Sequence, residues 1–140
     1  SIPGHVEHRQ LANNSLNIMA GCFLACTPGV NIKAKFGGLK ALFSGEGAFL
    51  LEASGSGDLF FNSFGGIVKK EINGEFIVDT GHVVAFTPSL DYSITGMGSF
   101  KSTMLSGEGL VMKFRGNGTL YLQTRNVSSI ASWLTPRLLG

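Results

Sequence analysis

Ser106-Gly-Glu-Gly-Leu-Val-Met-Lys-Phe-Arg-Gly-Asn-Gly-Thr-Leu-Tyr-Leu-Gln-Thr-Arg-Asn126 has a near twin upstream, Ser44-Gly-Glu-Gly-Ala-Phe-Leu-Leu-Glu-Ala-Ser-Gly-Ser-Gly-Asp-Leu-Phe-Phe-Asn62. Each reads Ser-Gly-Glu-Gly, an apolar run, a Gly-x-Gly, and a second apolar run. Apolar runs on either side of a glycine pair predict a β-hairpin in each place. The same spacing occurs a second time outward from these stretches. Gly81-His-Val-Val-Ala-Phe-Thr-Pro88 follows Gly21-Cys-Phe-Leu-Ala-Cys-Thr-Pro28 by 81 − 21 = 60 positions, and the two Ser-Gly-Glu-Gly turns are 106 − 44 = 62 apart. An internal duplication follows, with two residues gained between the landmarks.

The fold expected is all-β: duplicated short double-stranded β-helix or β-sandwich units with a short C-terminal helix. Turn signals recur every 8–12 residues, as sandwiches and barrels require. The division reads 1–15 as an N-terminal segment, 16–75 and 76–127 as the two β repeats, and 128–140 as a helical tail. Ala12-Asn-Asn-Ser15 reads as a turn, because Asn and Ser bond to nearby backbone. Val30, Ile32, Ala34 and Phe36 alternate with Asn31, Lys33 and Lys35, the pattern of a half-buried strand. Ile67–Ile72, Asn73-Gly74 and Glu75–Asp79 predict another hairpin. Ser128 or Ser129 could cap a tail helix that Pro136 stops, with Ile130, Trp133 and Leu134 on one face.

Charged residues make up 14% of the 140-residue chain, well below the roughly 25% of an ordinary soluble domain. Twenty glycines, eleven phenylalanines and an apolar fraction of 44% suit strands. So little charge leaves apolar surface, and contiguous apolar surface finds a partner. Self-association is the expectation. The net charge of +2 is spread along the chain, without the continuous basic stripe that nucleic acid demands. Lys33, Lys35, Lys113 and Arg115 are the residues that an RNA or small ligand would use if one binds. Cys22 and Cys26, four apart and flanked by Thr27-Pro28, read as free buried thiols on a strand in a reducing compartment. No apolar run approaches the 18 or so residues of a membrane span, and no signal peptide is visible. Opening on Ser1 rather than Met, the chain reads as a fragment or processed product.

The candidates for chemistry are few. Glu46 and Glu108 occupy equivalent slots, so duplication places them in separate, similar environments rather than one catalytic cleft. Cys22 and His82 are also equivalent; a metal would need three or four ligands, and few remain to help. A metal-dependent hydrolase using His82, Cys22 and Glu108 is the remote option. No catalytic, cofactor-binding or metal residue is assigned, and the chain is read as no enzyme. The strongest non-core patch is an apolar–lysine–apolar loop present in both copies. Leu39, Leu42 and Phe43 flank Lys40 in one, and Phe100 and Leu105 flank Lys101 in the other. With Trp133 these are the candidate interface, facing another copy, a protein partner or a membrane periphery.

Asp79-Thr-Gly-His-Val-Val-Ala-Phe-Thr-Pro88, Leu105-Ser-Gly-Glu-Gly-Leu-Val111 and Tyr121-Leu-Gln-Thr-Arg125 together resemble the altered inheritance of mitochondria protein 24 family, over about residues 16–126. Cys22 to Val30 is similar to another segment of that family. The resemblance implies a fold like the tryptophan RNA-binding attenuation protein (TRAP-like) and a homo-oligomer, plausibly a trimer. It also implies a cytoplasmic location in bacteria or a mitochondrial one in eukaryotes, and members with a further repeat upstream. It brings no catalytic residues and no known activity. On this basis the chain is read as a structural or interaction protein that self-assembles and scaffolds a partner. An attenuation-type binding module for RNA or a small ligand is the alternative.

Overall fold

The computed structural model describes residues 4–35, 50–96 and 110–124. It is all-β, as expected, but the strands are longer than the sequence suggests. Four long strands, β1 (Val6–Met19), β4 (Leu50–Asn62), β5 (Ile67–Asp79) and β8 (Leu110–Gln123), carry four short ones, β2 (Phe23–Cys26), β3 (Val30–Lys35), β6 (Val83–Phe86) and β7 (Leu90–Gly96). Single turns of 3-10 helix, Ala20–Cys22 and Thr80–His82, link β1 to β2 and β5 to β6.

All three expected hairpins are single strands. β4 pairs with β1 from Met19↔Leu50 to Val6↔Asn62, straight through Gly55 and Gly57. β8 pairs with β5 from Asp79↔Val111 to Ile67↔Gln123, through Gly74 and Gly116. The glycines do adopt the positive φ that a turn would use: 116° at Gly55, 149° at Gly57, 118° at Gly74 and 119° at Gly116. Here that freedom serves a bend within a strand and does not reverse the chain. The β5–β8 pairing runs unbroken through Gly74↔Gly116, and the β1–β4 pairing slips once, between Ala12 and Asn14. Asn13, φ 58°, plays this part in β1, where the register slips between Ala12 and Asn14. Asn14 Oδ1 accepts from the Ala12 amide at 2.9 Å, the local bonding expected there, but inside a strand. The segment 1–15 thus supplies most of β1.

Close packing adds a second reason for glycine at Gly55 and Gly57, whereas at Gly74, with nothing within 4 Å, the positive φ alone asks for it. A Cβ on Gly55 would overlap the Gly29 carbonyl oxygen, and one on Gly57 or Gly118 would overlap the hydroxyl of Thr27 or Thr87. The Thr-Pro turns sit directly on the bent strands. Thr27 Oγ1 accepts from the Asp58 amide at 2.9 Å, and Thr87 Oγ1 accepts from Thr119 at 3.0 Å. Backbone bonds repeat the match: Thr27 N and Thr87 N donate to Asp58 O and Thr119 O, both at 3.0 Å. The order long strand, 3-10 turn, short strand, short strand, long strand therefore recurs, starting at Val6 and at Ile67.

The strands form one eight-stranded antiparallel sheet in the order β2-β4-β1-β6-β8-β5, with β3 also on β4 and β7 also on β8. The two units join where Asn17 and Ile18 of β1 pair with Phe86 and Ala85 of β6. The buried residues form two apolar clusters, and both draw on both units. One gathers Leu11, Leu16, Ile18, Leu59 and Phe61 with Val84, Ala85 and Tyr121. The other gathers Phe86, Leu90, Met112, Phe114 and Leu120 with Leu50. Each fully buried Phe stabilises the fold by roughly 1.5–3 kcal/mol.

The units are not equally filled. In the second, Phe86 meets Tyr92 at 5.3 Å and Phe114 at 5.0 Å, both edge to face. The matching positions of the first unit hold Cys26, Ile32 and Ala53. With that volume missing, the half-buried pattern expected along β3 fails: Val30 is buried, but Ile32 is 37% exposed and Ala34 is exposed too. The expected tail helix and the two apolar–lysine loops lie outside the described residues.

Candidate functional site

The motif residues form a structural clasp. Asp79 Oδ1 accepts from the Gly81 amide at 2.7 Å and so closes the 3-10 turn. Gln123 Nε2 donates to the Gly81 carbonyl at 2.6 Å, while its Oε1 accepts from the Phe64 amide at 2.7 Å. His82 Nδ1 donates to the Gln123 carbonyl at 2.8 Å. Thr124 exchanges two bonds with Gly66, its amide donating at 3.0 Å and its Oγ1 accepting at 2.9 Å. The Asp-Thr-Gly-His and Gln-Thr stretches are therefore neighbours that fix the crossing from β4 into β5 against the end of β8.

The basic candidates sit on two strands. Lys33 and Lys35 lie on β3, and Lys113 and Arg115 on β8. Lys35 Nζ is 2.6 Å from Glu52, and Glu75 takes both Arg115 at 3.0 Å and Lys113 at 3.3 Å. The Arg115 and then the Lys113 hydrogen bond hold the Glu75 carboxyl below its ordinary value. Three of the four cations are thus matched by a carboxylate on an adjacent strand, the arrangement of a solvated sheet face.

Cys22 and Cys26 are both free and half-buried. Burial pushes the Cys22 thiol up to about 11, which opposes the thiolate a nucleophile or metal ligand needs. Among the described residues no three His, Cys, Asp or Glu side chains gather as a metal site would require. Of the candidate interface residues, Leu39, Leu42, Phe43, Phe100, Leu105 and Trp133 all lie outside the described residues, as does Glu108.

The structure brings forward apolar side chains that composition alone does not single out. Leu24 on β2 is 48% exposed, and Val68 and Ile77 on β5 are 48% and 56% exposed. β2 and β5 are the two ends of the sheet. A copy-against-copy comparison carries the signal: Phe23-Leu-Ala-Cys26 matches Val83-Val-Ala-Phe86, and all four of the latter are buried. No helix among the described residues is long and apolar enough to cross a membrane.

A sequence profile described as mitochondrial biogenesis AIM24 matches residues 1–125. An uncharacterised protein of Streptococcus pyogenes serotype M6 is 35% identical over 135 residues, covering 94% of this chain and 54% of its own length. A crystal structure of a Streptococcus pyogenes protein superimposes with a TM-score of 0.82 at 31% identity, over 98% of this chain and 62% of the other. The chain thus spans about half the length of the curated relative it matches.

Proposed function

The chain belongs to the mitochondrial biogenesis AIM24 family, and from that premise we propose that it is a non-enzymatic structural module that self-assembles into a homo-oligomer and scaffolds a partner. The observation carrying this reading is the exposure of Leu24, Val68 and Ile77 at the two ends of the sheet. An end strand with exposed apolar side chains and, among the described residues, no partner on its outer edge is a template for another strand. Three copies is the size we adopt from the family resemblance, with an attenuation-protein-like course of the chain within each unit. The free thiols Cys22 and Cys26 suit a reducing compartment; with bacterial relatives on hand, we assign the chain to the bacterial cytoplasm.

Light scattering coupled to size exclusion at micromolar concentration tests the assembly. A mass that is a multiple of 14.8 kDa supports it. A strict monomer overturns it.

A further inference from the structure

The chain contains two Asn-Gly steps, Asn73-Gly74 and Asn117-Gly118. Both lie in the second unit, and they face each other: Asn73 pairs with Asn117, and Gly74 with Gly116, across β5 and β8. The first unit has serine before each bend glycine of β4, Ser54-Gly55 and Ser56-Gly57. An asparagine followed by glycine is chemically labile, because no side chain shields the next amide nitrogen from the asparagine carbonyl carbon. The two steps share this chemistry and differ in how the fold holds them.

Asn117-Gly118 is enclosed. β8 pairs with β5 along one edge and with β6 and β7 along the other. The turn from β6 to β7 fastens to β8 on both sides of the step. Leu90 pairs with Gly116, while the Thr119 amide donates to Thr87 Oγ1 and the Thr87 amide to Thr119 O, both at 3.0 Å. Gly118 is half-buried, and a Cβ there would press on the Thr87 and Ser89 hydroxyls and on Leu90.

Asn73-Gly74 is open. Both residues are exposed, and a Cβ on Gly74 would meet nothing within 4 Å. Among the described residues β5 pairs with β8 alone. Opening this step releases one ladder at its bend; opening the other lifts a packed turn as well.

We propose that Asn73 is a site of spontaneous deamidation and isoaspartate formation, and that the fold protects Asn117 from the same reaction. The extended backbone must first rotate, so the rate follows local opening. The Gly74 amide nitrogen then loses its proton and bonds to Asn73 Cγ. The side-chain nitrogen leaves as ammonia, which closes a five-membered succinimide. Water adds to one of the two ring carbonyls and breaks that carbon's bond to nitrogen. Addition at Cγ leaves aspartate; addition at the backbone carbonyl leaves isoaspartate, in which the chain runs on through the former side chain. Water is the one co-reactant, and nothing is oxidised or reduced.

The product falls at a sensitive place. Residues two apart on a strand share a face, so the new carboxylate stands between Glu71 and Glu75. Glu75 already engages Lys113 and Arg115, and Glu71 accepts from Thr119 Oγ1 at 3.0 Å. Isoaspartate also lengthens the backbone by one carbon, which sets the Glu75–Asp79 half of β5 out of step with β8.

Peptide mapping tests this. Trypsin cleavage after Lys70 and after Arg115 puts the two steps in different peptides. Folded protein aged at mildly alkaline pH should gain the amide-to-acid mass change at Asn73 at least about tenfold faster than at Asn117. In urea the two rates should level or reverse, since Gly116 is a more mobile neighbour for Asn117 than branched Ile72 is for Asn73. Asn73→Ser should remove most of the acidic species that isoelectric focusing finds in the aged wild type. Folded chains that deamidate equally at both steps, or at neither, overturn the proposal. So does a preference for Asn73 that persists unchanged in urea, or an Asn73→Ser chain that acidifies as fast as the wild type.

Discussion

The Arg9 guanidinium donates to the Tyr121 hydroxyl at 2.7 Å, joining side chains 112 residues apart in sequence and on different units. Arg9 sits on β1 and Tyr121 on β8, on either side of the β1–β6 junction. The Tyr121 ring also stands edge to face on Phe61, with centroids 5.4 Å apart. One residue thus supplies the unit interface with both a polar tie and an aromatic contact.

Tyr121→Phe keeps the ring and deletes the tie. A hydrogen bond to a charged group is worth about 1.5–3 kcal/mol; with Arg9 partly in solvent, a loss of about 1 kcal/mol is expected. That corresponds to a fall of roughly 3–5 °C in Tm. A double-mutant cycle with Arg9→Met should return most of this loss as coupling energy. Independent, additive effects would mean that the bond does not hold the units together.

How far the sequence reveals this fold depends on the feature. The Thr-Pro turns and the glycines around them are legible, because duplicated residues mark duplicated contacts: Thr27 on Asp58 and Thr87 on Thr119. The continuity of β4, β5 and β8 is not. A tight turn and a bend inside a strand ask for the same positive φ from the same residue, and only the pairing of distant β1 or β8 decides between them. The exposed edges are harder still. Ile77 and Leu24 have the apolar character of core residues, and their exposure comes from strand order, which local pattern does not encode. Asn17, polar and buried, is the opposite case.

Alanine at the bends separates the two meanings of glycine. Gly55→Ala would place a Cβ on the Gly29 carbonyl oxygen while holding φ at 116°. Strain and overpacking together should cost roughly 2–4 kcal/mol. Gly21→Ala meets nothing within 4 Å, and should be neutral or stabilising by up to about 1 kcal/mol through the unfolded chain. Urea midpoints for the two variants provide the comparison. Equal costs would show that the bend at Gly55 does not need glycine.

Cys22 should react slowly and make the fold sensitive to alkali. With its thiol raised from 9.0 to about 11 by burial, only about one molecule in a thousand carries the thiolate at pH 8. Alkylation by iodoacetamide should therefore be slow at Cys22 and still be rising with pH beyond 9. Between pH 9 and 11 the unfolded chain loses this proton while the folded chain keeps it. The stabilisation is therefore complete below pH 9 and is lost as pH climbs through about 11. Discounted for the half-exposed site, it amounts to about 1–2 kcal/mol. Cys22→Ala should lack this part of the alkaline decline, and an unchanged decline would refute the assignment.

Asn17 offers a route to a more stable protein. Its side chain is buried at 4% exposure, and among the described residues its Oδ1 has no hydrogen-bond partner. It lies on β1 between Glu52 of β4 and Phe86 of β6, at the seam between the units. A buried acceptor left unpaired costs about 1–3 kcal/mol, and a branched apolar residue suits a strand enclosed on both edges. The second unit already carries Ile77 at the corresponding place. Asn17→Val is close in size, so it should introduce neither a large cavity nor a clash. The expected result is a gain of roughly 0.5–2 kcal/mol by urea denaturation, with the m-value unchanged. A loss of stability would instead mean that the amide has a bonding role at the seam, and that the polar residue fixes the register of β1 on β6.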